Sequence, residues 1–304
     1  GTAMSLGVTA PLLGISAAAL SSAGDFEQSM NMIAQSTQGS AESMAALQAQ
    51  ALQLGAETSF SAGEAAAAML EMSKAGMSLE DVSAGIGGVL DLAAAGGLGL
   101  ADAATIAANT VNAFNLSAAE TPKIANMLAA AANASSADVS DLAAGMQQAG
   151  AVFASNDQSV QQLASSLAIL ANNGIAGSDA GTSLKTMLMS LAAPTDKARG
   201  AMSDLGIMVY DSQGQMRDFG AIIGDLSTAT ATMSDAQRNA AFSTIFGSDA
   251  IRAASILARE GATGFAEMTA AVGAQGAAAE AANARMAGFN GAIEYLKGSI
   301  DSFL

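Results

Sequence analysis

The stretch Ser78-Leu-Glu-Asp-Val-Ser-Ala-Gly-Ile-Gly-Gly-Val-Leu-Asp-Leu-Ala-Ala-Ala-Gly-Gly97 decides how the chain folds. Leu79, Val82, Ile86, Val89, Leu90 and Ala93 recur at a period of about 3.6 residues, the mark of a helix with one buried face. Ser78 stands where a helix needs a cap, and Asp81 is placed to reach back to it. Gly96 then stops the run. The same stretch has other readings. A glycine-rich phosphate loop needs a preceding strand and a lysine in the phosphate position, and neither is present, so that reading is rejected. Glycines at this spacing instead predict close helix contacts or a membrane-active hairpin over residues 84–100, the latter requiring Asp91 to be tolerated mid-segment.

Working outward, the same grammar repeats. Ser61 with Glu64, Ser117 with Glu120, Ser135 with Asp138, Ser155 with Gln158 and Ser234 with Gln237 match the cap pattern, each opening an Ala-rich run. Gly55, Gly76, Gly150, Gly174 and Gly261 read as stops. Val160, Leu163, Leu167 and Leu170 fall on one further helix face. The period changes once, over Ile207-Met-Val-Tyr-Asp-Ser-Gln-Gly-Gln-Met-Arg217, which predicts a small β-hairpin between helices. The expected fold class is therefore all-α: a multi-helix array of short Ala/Gly-rich helices with one small β-hairpin at about 207–217. An offset of about 77 residues aligns Met69 with Met146, Leu90 with Leu167, Gly97-Leu98 with Gly174-Ile175 and Asp102-Ala103 with Asp179-Ala180. Ala-rich chains align with themselves easily, so internal duplication and chance both stay open, with two similar helical units expected under the first.

Composition narrows function. Apolar residues make up 51% of 304, only 4% of residues are aromatic, and there are 32 Gly and 3 Pro, so the core is built from small side chains brought close together. Acids outnumber bases 27 to 11 for a net charge of −16, which opposes phosphate backbones, and no direct nucleic-acid binding is expected. No Cys and no His are present, which removes disulfides, the commonest general base and the commonest metal ligand. Glu80 and Asp81 lie where carboxylates favour a helix N-terminus, and they are read as structural. A serine nucleophile would need a lysine base. Thr182-Ser183-Leu184-Lys185 comes closest to such a context and reads as a solvated helix face, and Lys74, Lys123, Lys197 and Lys297 offer nothing nearer. No catalytic, cofactor-binding or metal site is expected, and an enzyme is the least favoured class. The 17 methionines, Met30, Met32, Met69, Met72, Met187 and Met189 among them, read chiefly as core filler.

The first charged residue is Asp25. The stretch before it lacks the basic residues of a signal peptide, and its Pro11, Ser and Thr content is poor for a membrane span. Residues 1–24 are expected to form an uncharged helical segment, with three residues preceding Met4 as in an excised or tagged piece.

Several strings, in this order, resemble the core region of phage tail tape measure proteins. They are Asp25-Phe-Glu-Gln-Ser-Met30, Ala51-Leu-Gln-Leu-Gly-Ala-Glu-Thr-Ser-Phe-Ser61, Ala66-Ala-Ala-Met-Leu-Glu-Met-Ser-Lys-Ala-Gly76 and Val89-Leu-Asp-Leu-Ala-Ala-Ala-Gly-Gly97. Then come Ala129-Ala-Ala-Ala-Asn-Ala-Ser135, Leu170-Ala-Asn-Asn-Gly-Ile175, Ala193-Pro-Thr-Asp-Lys-Ala198, Leu205-Gly-Ile207 and Ile245-Phe-Gly-Ser-Asp-Ala250. The resemblance covers about residues 25–260, although this chain is poorer in charge and richer in Ala and Gly than the family pattern.

It implies a scaffold for tail tube assembly and tail length determination, ejected with DNA at infection. The location implied is the virion tail lumen, with the host cytoplasm during assembly. The partners implied are the tail tube protein, tail assembly chaperones and tail tip proteins; self-association and host membrane contact during ejection are also expected. As one helix the chain would span roughly 450 Å, but its glycine stops predict that it folds back, as a core domain over 25–260 within a longer tape. Residues 261–304 are expected to form a C-terminal helix leading toward the rest, with Ile293, Leu296, Ile300 and Phe303 at helical spacing. The competing class is a membrane-active or pore-forming helical protein, resting on the uncharged N-terminus and residues 84–100.

Overall fold

The structure is a computed structural model describing residues 23–286. The expected segment 1–24 (apart from its last two residues) and the spacing from Ile293 to Phe303 lie outside the described residues. The described chain is built from helices joined by turns and loops. It runs α1 (23–37), α2 (Ala41–Glu57), α3 (Ala62–Lys74), α4 (Leu79–Gly96), α5 (Leu100–Ala113), a 3₁₀ turn η1 (Ala118–Glu120) and α6 (Thr121–Asn133). It continues through α7 (Val139–Ser155), α8 (Val160–Asn172), α9 (Gly177–Ala192), α10 (Asp196–Asp204), α11 (Phe219–Thr230), α12 (Asp235–Val272) and α13 (Ala277–Met286).

One device ends six of these helices. Gly76, Gly97, Asn115, Asp157, Gly174 and Gly206 all have positive φ. The amide of the following residue then bonds five residues back: Met77 to Met72, Leu98 to Ala93, Leu116 to Val111, Gln158 to Phe153, Ile175 to Leu170 and Ile207 to Met202. This is the Schellman closure, in which the residue after the left-handed one turns inward. Met77, Ile175 and Ile207 are accordingly buried. Ser40, Ser78, Ser117 and Ser159 follow two residues after such left-handed positions and cap the next helix, so short turns join consecutive helices. Replacing Ser159, whose hydroxyl accepts from the Gln162 amide, by alanine should cost about 1 kcal/mol, read as a lower urea midpoint at unchanged slope.

The predicted capping boxes form at Ser61, Ser78, Ser117 and Ser234. Two do not. Asp138 itself caps α7, while Ser135 bonds back to the Ala131 carbonyl. Ser155 lies in the last turn of α7 and bonds to Val152, and the box of α8 is Ser159 with Gln162. Gly55 and Gly150 are helix-internal rather than stops, and helix α12 runs through Gly261 with a bend.

The chain divides into two compact units. The first contains α2, α3 and α4, which pack on one another with η1 against α4. All six apolar positions of the α4 face are buried, as the periodicity required. Gly88 allows the backbone at Thr121-Pro122 to lie on α4: a Cβ there would sit 2.5 Å from the Pro122 nitrogen and 2.7 Å from the Thr121 carbonyl carbon. Gln50 and Ser83 exchange two hydrogen bonds between α2 and α4.

The second unit comprises residues Asn109–Leu116 and Lys123–Ala279. In it α7 crosses α9, and α12 packs on α8, α9, α10 and α11. The Val160, Leu163, Leu167 and Leu170 face is buried as expected. Phe219 joins Phe153 (ring centroids 5.2 Å apart) to Phe265 (6.0 Å), both edge-to-face, in a chain otherwise short of large side chains.

The expected β-hairpin at 207–217 does not form. The segment is a loop with a single antiparallel bridge between Tyr210 and Met216, and no strand exists among the described residues. A ladder needs successive backbone pairs, and here side chains take up the neighbouring groups. The Met208 amide donates to Asp225 Oδ2, its carbonyl accepts from Arg217, and Asp211 Oδ1 accepts from the Gln213 and Gln215 amides. Ile207 and Val209 are buried, so the apolar run that suggested a strand is a loop's anchoring face.

The 77-residue offset reappears as geometry. Left-handed Gln38 matches left-handed Asn115, the Ser40 cap matches Ser117, and Ser61 matches Asp138. Left-handed Gly97 matches Gly174, and the starts of α5 and α9 coincide at Leu100 and Gly177. The α3–α4 turn departs: Ser78 and Ser159 are 81 apart, one helical turn more, so α7 exceeds α3 by a turn while α8 is correspondingly shorter than α4. Matching non-glycine left-handed residues are not produced by Ala-rich composition, so the recurrence is one of structure.

Candidate functional site

The residues weighed for chemistry stay apart. Glu80 is exposed in the first turn of α4, and Asp81 is occupied with the Ser78 cap. On α9, Ser183 and Leu184 are buried and Lys185 half-buried, so that stretch faces the core more than the solvated reading allowed. Among the described residues no three carboxylates gather into a metal-sized cluster. Met30, Met69, Met72 and Met187 fill the core as expected, whereas Met32 and Met189 are exposed. Of the glycines over 85–99, Gly85 and Gly88 serve close approach and Gly97 closes the helix, the contact reading rather than a phosphate cradle.

No single helix among the described residues is long and apolar enough to cross a membrane; α4 and α5 reach that composition only together, across a 118° bend. The apolar face of α4 is covered within its own unit, and partial burial raises the Asp91 carboxyl above its ordinary value. The membrane-active alternative gains no support.

What the second unit does present is a loop fixed with unusual care. Gln158, only 4% exposed, donates to the Asn156 and Arg217 carbonyls (2.8 and 3.2 Å) and accepts the Phe219 amide at 2.9 Å. All its amide hydrogens and its oxygen are thus engaged, as burial of such a group demands. Gln162 donates to Asp218, which caps α11 by accepting from the Ala221 amide at 3.1 Å. Arg217 pairs with Asp225. Tyr210 Oη donates to the Ala192 carbonyl at the end of α9, 2.7 Å away. Backbone and ring are therefore held from the α7–α8 turn, α9 and α11 at once.

The result is an apolar surface on a rigid support. Met208 is 60% exposed, Tyr210 43%, and Met189, one turn before Ala192 on the same face of α9, 52%. Large exposed apolar side chains of this kind fit a contact surface. Composition could not find this site, because Gln158 and Gln162 look like surface glutamines until the fold buries them. Asp218 ahead of Phe219 was a readable cap signal that the hairpin reading obscured.

A family model for phage-related minor tail proteins matches residues 48–247. The chain is 33% identical over 303 residues to a tape measure protein of Pneumococcus phage Dp-1, covering 99% of this chain and 26% of that one. It is 31% identical over 223 residues to a probable tape measure protein of Escherichia phage P2, covering 73% of this chain and 27% of that one. The chain thus spans about a quarter of the length of these curated relatives. No solved structure matches. The left-handed turns from Gly76 to Gly206 and the whole loop at 207–217 fall within the matched region, and the chain belongs to the phage-related minor tail protein family.

Proposed function

We propose that this chain is a folded core of a tape measure protein, acting as scaffold in tail tube assembly and tail length determination and leaving with the DNA at infection. The observation that supports a folded role is that no helix from α2 to α9 runs longer than 18 residues, with Schellman closures ending α3, α4, α5, α7 and α8. A ruler needs an uninterrupted helix advancing 1.5 Å per residue. The relatives are about four times longer, which leaves ample chain elsewhere for that purpose.

The core extends past residue 260, since Phe265 and Val272 are buried in the second unit, and the residues after it lead toward the rest of the tape. The loop surface with Met189, Met208 and Tyr210 is suited to proteins of the tail: the tube protein, assembly chaperones or tip proteins, alongside self-association. The working location is the tail lumen, after assembly in the host cytoplasm, and membrane contact during ejection belongs to the same reading. The acidic balance keeps the surface from holding nucleic acid directly.

An in-frame deletion of residues 100–176, one offset length, tests this in the parent phage. Electron microscopy should show absent or malformed tails. Tails shortened by roughly 115 Å, the rise of that many helical residues, would mean the region is ruler. Normal tails of unchanged length would remove the tape measure assignment.

A further inference from the structure

Helix α12 is 38 residues long and contains two residues outside helical geometry, Gly247 (φ 71°, ψ −170°) and Gly261 (φ 71°, ψ −176°). That conformation is open to glycine and closed to residues bearing a Cβ. No proline lies between Asp235 and Val272, so these two glycines are what bend the helix. A second feature runs across the bends. Phe242, Phe246, Ala250, Ala253, Leu257, Gly261, Phe265 and Val272 are buried, at steps of three, four or seven, and the pairs Ala253-Ala254 and Leu257-Ala258 widen the stripe. The step from Phe246 to Ala250 spans the first joint, and the steps into and out of Gly261 span the second, without loss of phase. Helices joined at a permanent break owe each other no common phase. A single straight helix does, because its seam must stay on one side.

The bent form is fastened beyond each of the two glycines. Arg252 makes a two-pronged bond to Asp179 at the start of α9 (2.9 and 3.0 Å), and Arg259 donates to Asn173 at the end of α8 (2.6 Å). Beyond Gly261, Gln161 of α8 donates to the Thr269 carbonyl at 2.7 Å. Two of these three fastenings are exposed, and exposed pairs hold weakly. A Cβ at Gly247 would meet nothing within 4 Å, so backbone conformation, not crowding, is what reserves that position for glycine.

We propose that α12 is a two-state helix. It is bent at Gly247 and Gly261 while docked on α8, α9, α10 and α11, and it becomes one rod of about 57 Å when that docking releases, through φ and ψ changes at the two glycines. The same apolar stripe serves both states, divided among the second unit's helices in one and continuous in the other. The device does not depend on the tail reading; it rests on the backbone and the phase of the stripe.

The chain has no cysteine, so exposed Asn239→Cys and Glu267→Cys provide two unique spin-label sites. In the straight rod they stand about 42 Å apart, and in the bent form closer. Dipolar distance measurement on the 304-residue chain should show mainly the short distance. Adding Gly247→Ala and Gly261→Ala should raise the population near the rod distance by about tenfold or more, with helicity by circular dichroism retained. An unchanged short distance overturns the proposal, and so does a broad distribution with lost helicity, since that describes unfolding rather than straightening. As a second route that leaves the glycines untouched, Arg252→Ala with Arg259→Ala should shift the distances in the same direction; no shift would equally overturn it.

Discussion

A Gly181→Ala chain is expected to lose about 3 kcal/mol or more of stability in its second unit, through a single methyl group. A Cβ on Gly181 would lie 2.3 Å from the Gly145 carbonyl oxygen and 2.7 Å from its Cα. These are backbone atoms of α7, which no rotamer change can move aside. The methyl group therefore has to push the two helices apart, and their separation loosens Leu142, Leu184 and Leu188, all buried around the crossing. Urea unfolding followed by circular dichroism measures the loss. Gly200→Ala is the matched control: it sits in α10, exposed, with nothing within 4 Å of the added carbon. There alanine should stabilise by about 0.5–1 kcal/mol, because it restricts the unfolded chain and favours helix. Equal effects of the two substitutions would contradict the close crossing.

The second large effect is expected at Phe219. Its ring is fully buried, meets Phe153 and Phe265 edge-on, and ties α7, α11 and α12 into one core. Phe219→Ala should cost about 3–5 kcal/mol, the lost transfer energy plus the cavity left behind. The Phe219 amide bond to Gln158 involves only backbone on this side and survives the substitution. Phe219→Leu, which keeps most of the volume, should cost clearly less. If both variants unfold at the wild-type midpoint, the aromatic row does not hold the unit together.

Local features were legible in the sequence wherever one residue and its near neighbours decide the outcome. The Ser61, Ser78 and Ser234 boxes are closed by residues three positions apart, and the faces of α4 and α8 follow from periodicity within a single helix. Errors arose where two local signals competed. Ser155 and Ser159 both open a plausible cap, and only the length of α7, set by what it packs against, selects the second. At 207–217 the apolar run and the glycine turn are those of a hairpin. Asp225 and Arg217 capture the Met208 backbone, and Asp225 lies 17 residues from Met208.

The sequence by itself determined that helices dominate, where four of the capping boxes lie, the small-residue core and the family, because each follows from residue type, short-range periodicity or the order of short strings. Tertiary structure alone decided that Gly145 and Gly181 meet, that Gln158 is a buried tie rather than a cap, and that Tyr210 is tied to the end of α9 while Met189 and Met208 stay exposed. It also decided that Gly261 bends a helix instead of ending it. The reason is physical: a glycine, a glutamine or a methionine is nearly neutral toward local backbone choice, so its role is set by whichever distant segment packing brings against it.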